Sequence, residues 1–220
     1  LYKQYRLEKF QQSGRKRPAN TKKIENVVSA KPVFKQNNLK DLVPLTELNN
    51  SHPAVEYILN RRLPLDSLYY TDNFKKWVNS VKPEAFPDTR QDEPRIIIPF
   101  IDKEGVVFGF QGRSLNNNGL RYITILLKEE APKIFGLNRV NYEETIFIVE
   151  GPFDSLLLDN AVAMAGSDLS NYRSLLGDNI VHILDNEPRN KEIVKRISRL
   201  IDMGERVVIW PTGINEKDIN

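Results

Sequence analysis

The hydrophobic and polar positions change rhythm twice along the chain. Between residues 41 and 80 the pattern is helical in pieces. Ser51 and His52 precede Pro53, which suits a first helical turn, and Val55, Ile58 and Leu59 make one apolar face. Pro64 ends that helix. Residues 81–94, rich in Pro, Asp and Glu, read as a loop. Arg95-Ile-Ile-Ile-Pro-Phe-Ile101 is then a continuous apolar run, Asp102–Gly105 a turn, and Val106–Gln111 the return strand of a hairpin. A third strand is expected over Arg121–Leu126. From residue 145 strands alternate with helices. Strands are expected at 145–149, 161–165, 180–184 and 206–210. Pro152 opens a helix carrying Phe153, Leu156 and Leu157. Asp168 or Ser170 can cap a helix that reaches Leu176 and closes at Gly177. Pro188 starts a longer one, with Ile193, Val194, Ile197, Leu200 and Ile201 on one face and Gly204 past its end.

This alternation demands parallel strands joined by helical crossovers. The expected class is α/β: about four parallel strands flanked by helices over residues 143–220, preceded by a small α+β subdomain with an antiparallel hairpin over residues 41–142. Residues 1–40 read as a basic linker or arm, with a short helix over 2–12.

Composition narrows the chemistry. The 220 residues include no cysteine and two histidines, so disulfides, thiolate metal sites and a zinc centre within this chain are excluded. No apolar run approaches the roughly 20 residues of a membrane span, and there is no signal-peptide pattern. A soluble intracellular protein, without membrane contact, is the expectation. Because the chain begins at Leu1 and stops at Asn220 in a charged loop, it reads as part of a longer protein, truncated at its C-terminal end. The net charge of +3 hides an asymmetry: residues 1–40 hold eleven Lys and Arg against two Glu, and the remainder is mildly acidic. Such an arm suits a polyanion partner, or is a solvated tail.

Two of the expected strands run into acid. One leads to Glu150-Gly151-Pro152-Phe153-Asp154, the other to Asp185-Asn186-Glu187. Parallel α/β sheets carry their functional groups at the carboxyl ends of strands. If these strands are neighbours, Glu150, Asp185 and Glu187 meet at one rim. Gly151 would let the backbone turn sharply beside Glu150, and Asp154 lies in a first helical turn, where the dipole favours an anion. Each motif alone reads equally as a turn or a helix cap; together on alternate strands they point to chemistry. Converging carboxylates repel unless cations sit among them. Hard oxygen donors without Cys or His suit Mg²⁺ or Mn²⁺, and a pair of ions about 4 Å apart can serve phosphoryl transfer. His182, in mid-strand, reads as a neutral core residue.

These acidic motifs resemble the TOPRIM domain shared by bacterial DnaG-type primases, topoisomerases and some nucleases. That family carries a Glu-Gly turn after its first strand and an Asp-x-Asp after its third. Glu150, Asp154 and Asp185 match; Glu187 stands where most members have aspartate. Upstream, the hairpin with Phe108-Gly-Phe-Gln-Gly-Arg113 resembles the Gly-Phe-x-Gly-Arg hairpin of the primase core. Arg121-Tyr122, Ile134-Phe-Gly-Leu137 and the helix Ala54–Arg62 are similar to further primase segments, and Pro211–Asp218 to the family's Lys-Asp loop. The resemblance, over about residues 50–220, implies a phage-like DNA primase core with a TOPRIM fold. Its reaction would be metal-dependent, template-directed synthesis of RNA primers on single-stranded DNA from ribonucleoside triphosphates. It implies a replicative helicase as partner. Glu150, Asp185 and Glu187 would be catalytic and, with Asp154 and Asp218, would hold two Mg²⁺ or Mn²⁺ ions. Arg95, Arg113, Arg121 and Lys133 would bind nucleotide or template, with Gly112 opening space for a phosphate beside Arg113. Tyr122 could stack on a base. A TOPRIM nuclease and a non-catalytic, primase-like DNA-binding module are the alternatives.

Overall fold

Pro53 begins the first helix, α1 (Pro53–Asn60), and the imidazole of His52 caps it by accepting the Ala54 N–H at 3.2 Å. The structure, a computed structural model, describes residues 39–116, 119–166 and 172–220. The basic arm, the short helix at 2–12 and the cap at Asp168 or Ser170 lie outside the described residues. Ala54, Val55 and Ile58 form the buried stripe of α1, whereas Leu59, expected on it, is 45% exposed. The helix closes through Arg62 in the left-handed conformation (φ 57°), which lets the Leu63 N–H reach the Ile58 carbonyl at 3.1 Å. An arginine is strained in that conformation. Arg62→Gly is therefore expected to stabilise the protein by about 0.5–1 kcal/mol, read as a raised urea midpoint.

Five strands follow one another in an antiparallel sheet: β1 (Val43–Pro44), β2 (Tyr69–Thr71), β3 (Arg95–Ile101), β4 (Val107–Ser114) and β5 (Tyr122–Leu126). The expected hairpin is β3–β4, turned at Gly105 with φ 82°. Every residue of β3 is buried, because both faces are covered. On one side Ile97 and Phe110 pack against Phe74, Trp77 and Val78 of α2 (Phe74–Val81). On the other, Ile96, Ile98, Phe100 and Phe108 enter the main core. The helical reading of residues 41–80 is only partly met, since it missed β1 and β2. Strands of two and three residues show no periodicity; they exist here because β3 offers a partner, with Tyr70 opposite Ile96.

The second sheet has the order β6-β8-β7-β9: β6 (Ile134–Phe135), β7 (Ile146–Val149), β8 (Ala161–Met164) and β9 (Ile180–His182). β7 is central and parallel to β8 and β9, while β6 is an antiparallel edge strand. The crossovers carry α3 (Pro152–Leu156) and α4 (Tyr172–Leu176), and α5 (Lys191–Asp202) follows β9. The class is mixed α/β. The strand expected at 206–210 is reduced to a single parallel bridge, His182 to Val207. β9 is only three residues long and offers no longer template, and Ile209 already points to solvent. α5 starts at Lys191 rather than Pro188, because Asn190 caps it by accepting the Glu192 N–H at 3.1 Å. Of its expected apolar face, Ile193 and Leu200 are buried and Val194 and Ile201 exposed.

One continuous core joins the two sheets. Phe100 and Phe108 of the first meet Phe135, Ile148 and Phe153 of the second, with the Phe100 and Phe135 rings 6.1 Å apart. His182 is buried in the second sheet, and burial lowers its pKa to about 4, so the ring is neutral at physiological pH. Among the described residues no helix is long and apolar enough to cross a membrane.

Candidate active site

Parallel pairing of β7 with β9 brings the two acidic segments together. Glu150 follows directly on β7, and Asp185 lies in the turn after β9. The Asp185 backbone N–H lies beside the Glu150 carboxylate and favours its charged form. Burial raises the pKa of Glu150; Arg196, reaching from α5, opposes this with its Nη1 3.0 Å from Glu150 Oε1, and the nearby Asp185 carboxylate raises it further. Asp185 is raised in the same way, by burial and by the charges of Asp218 and Glu187, against the opposing Lys217.

Asp154, in the first turn of α3, has its pKa raised to about 6, mainly by burial and then by the charge of Asp218. It accepts the Asn220 backbone N–H at 3.2 Å. Gly151 has an ordinary extended backbone (φ −113°), so the turn itself does not need glycine. A Cβ there would stand 2.6 Å from Asp154 Oδ2, so a side chain at this position would displace that carboxylate. Since the folded state raises this pKa, it holds the Asp154 proton more tightly than the unfolded chain. That stabilisation is full below about pH 4 and is lost as the pH rises through about 6. Asp154→Asn is therefore expected to stabilise the metal-free protein by about 1–2 kcal/mol at pH 7.5, after allowance for solvent screening. Below pH 4 it should have no effect; urea unfolding at the two pH values measures both.

Glu187 is placed differently from the other acids. It does not line the cleft, and its carboxylate accepts from Asn190 Nδ2 at 3.0 Å and pairs with Lys217 at 3.2 Å. Those two bonds, that of Asn190 first, lower its pKa. The Asp185–Glu187 segment is a tight turn, with the Glu187 N–H on the Asp185 carbonyl at 2.9 Å. Among the described residues, no group of three or more His, Cys, Asp or Glu side chains is arranged to hold a metal ion. The donor chemistry nonetheless suits a hard cation: Glu150, Asp154, Asp185 and Asp218 line one cavity, and Arg196 and Lys217 now neutralise part of their charge.

That cavity, of about 470 Å³, has a second wall of opposite sign, made by Arg61, Arg113, Arg121 and Tyr122. Arg113 projects from β4 between two rings, 4.7 Å from the centre of Tyr122 and 5.2 Å from that of Tyr57. Arg61 covers Tyr57 at 4.8 Å. The Arg113 Nε and the Tyr57 hydroxyl are buried without hydrogen-bond partners. Lys133 is exposed, and its stem lies beside Gly166, which lines the cavity.

Arg95 corrects the sequence reading. It is 1% exposed, ion-paired with Glu93, and donates to the carbonyls of Gly112 (2.7 Å), Leu120 (2.8 Å) and Arg121 (3.4 Å). Its guanidinium is committed to the fold and does not line the cleft. The space expected above Gly112 is also taken: a Cβ there would meet Phe74 at 2.5 Å and the Arg95 stem at 3.1 Å. Sequence reasoning gave no part to Tyr57, Arg61 and Arg196. Tyr57 and Arg61 carry one local signal, their spacing of four on a helix; Arg196 carries none.

No family model matches the chain. The DNA primase of Enterobacteria phage T4 is 35% identical over 225 residues, covering 100% of this chain and 65% of that protein. Over its whole length the chain is similar in sequence to a DNA primase. It spans just under two thirds of the T4 primase. The zinc-binding and RNA polymerase domains of the Aquifex aeolicus primase superimpose with a TM-score of 0.57 at 24% identity, over 74% of this chain and 51% of that one. A DnaG primase catalytic domain bound to single-stranded DNA gives 0.57 at 20% identity, over 81% and 69%. These likenesses are of fold.

Proposed function

We propose that this chain is the catalytic part of a DNA primase, joining ribonucleotides into short RNA primers on single-stranded DNA. One observation carries the reading: four carboxylates (Glu150, Asp154, Asp185, Asp218) and four guanidiniums (Arg61, Arg113, Arg121, Arg196) line a single cavity. Nucleotidyl transfer needs both, anionic oxygens to hold cations and fixed donors to hold phosphates. On this reading β8, β7, β9 and the Val207 bridge are the TOPRIM sheet. Glu150, Asp154, Asp185 and Asp218, with Glu187 at the margin, would hold one or two Mg²⁺ or Mn²⁺ ions. Such ions supply charge neutralisation and polarisation of the phosphates. Arg113, in contact with the rings of Tyr57 and Tyr122, presents donors to a phosphate. Arg121 adds positive charge to the same wall, Lys133 adds it at the margin, and Tyr122 offers a face for a base. A 3′ hydroxyl held between the walls would attack an α-phosphate and release pyrophosphate. Family resemblance supports a replicative helicase as partner, and an address in the cytoplasm of an infected or bacterial cell.

Incubation with a single-stranded template, labelled ribonucleoside triphosphates and Mg²⁺ or Mn²⁺ tests this. Short labelled oligomers that depend on template are expected. A shortened template would instead favour a nuclease, and binding without either product a non-catalytic module.

A further inference from the structure

Lys217 bridges the two members of the acid pair. Its Nζ stands 3.4 Å from Asp185 Oδ2 and 3.2 Å from Glu187 Oε1. A built-in clasp brings it there. The Asn186 backbone N–H donates to the Lys217 carbonyl at 2.5 Å, and the Asn186 side-chain amide donates to the carbonyls of Ile214 (3.0 Å) and Glu216 (2.9 Å). Asn186 lies between the two acids, so the turn that presents them also pins the loop that carries the lysine. Asn190 holds Glu187 by its other oxygen, Oε2, which leaves Oε1 to the ammonium.

We propose that Lys217 is a tethered counter-ion that competes with a divalent cation for Asp185 and Glu187. This rests on the metal-binding role assigned to that pair under the proposed function. An ammonium and a divalent ion repel each other and need the same carboxylate oxygens, so one leaves as the other arrives. The Lys217 side chain is 58% exposed, and ion pairs of that exposure are weak and screened by water. Lys217 therefore tunes the affinity by a modest factor and does not block the site. Once displaced it still lines the cavity shared with Arg113 and Arg121, so its charge remains available to the cleft. The carboxylates are thus kept partly neutralised between ions.

The test is Mn²⁺ binding without nucleotide, followed by electron paramagnetic resonance of the free ion at fixed pH and ionic strength. Lys217→Met keeps the length of the stem and removes the charge; it is expected to bind Mn²⁺ about 3–10-fold more tightly than the unaltered chain. Lys217→Arg should stay within about twofold of it, and Asp185→Asn should lose at least about tenfold. Circular dichroism checks that each variant is folded. Unchanged or weaker binding by Lys217→Met, with the loss in Asp185→Asn intact, overturns the competition and leaves the metal site standing. An Asp185→Asn variant that binds like the unaltered chain overturns the metal role of the pair, and the competition with it.

Discussion

Arg95→Ala is expected to cost the protein about 3–5 kcal/mol of stability, the range for removing one partner of a buried ion pair. Glu93 would lose its cation, and the carbonyls of Gly112, Leu120 and Arg121 would lose a shared donor. Phe74 would lose the guanidinium stacked 5.2 Å from its ring centre. Arg95→Lys should recover only part of the loss, because an ammonium cannot match a planar fork spread over several acceptors. Urea unfolding measures both. Affinity of the folded variants for single-stranded DNA, read by fluorescence anisotropy, should stay unchanged, since the guanidinium is committed to the fold.

Glu150→Gln is expected to lower primer synthesis by about 10²–10³-fold while leaving the fold intact. The amide has nearly the volume of the carboxylate and keeps an oxygen for the Asp185 N–H. What disappears is a negative charge at the centre of the acidic wall, opposite a cation, Arg196, that then faces a neutral group. Affinity for single-stranded template should stay within about twofold, since the wall carrying Arg113 and Arg121 is untouched. Primer yield over time and fluorescence anisotropy with a labelled oligonucleotide give the two readings. A variant that makes primers at the original rate would remove Glu150 from the chemistry.

Much of the fold was legible where a local rule decided it. The β3–β4 hairpin showed as a long apolar run, a turn ending in glycine and a second run. β7, β8 and β9 showed as short apolar segments between helix starts at proline and stops at glycine. The meeting of Glu150 with Asp185 followed from parallel strands ending in acid. What stayed hidden depends on partners distant in sequence. β2 is a strand only because β3 lies beside it. Arg95 reads like any arginine at the head of a strand until the Glu93 carboxylate and three carbonyls surround it. Gly112 seemed to leave room for a phosphate, but Phe74, on a helix not anticipated as a separate element, fills that room. Arg196 and Lys217 are ordinary cations in sequence, and they become part of the site only when α5 and the final loop fold back over it.

The apolar interior that runs without a break beneath both sheets bears on how the groove can operate. Its two banks rest on the same packed aromatic residues, Phe100, Phe108, Phe135 and Phe153. Spreading the banks would part those rings and admit water between them, at a cost that grows with every methylene exposed. The span between acid and base is thus a fixed gauge, which anything entering the groove has to fit as it stands.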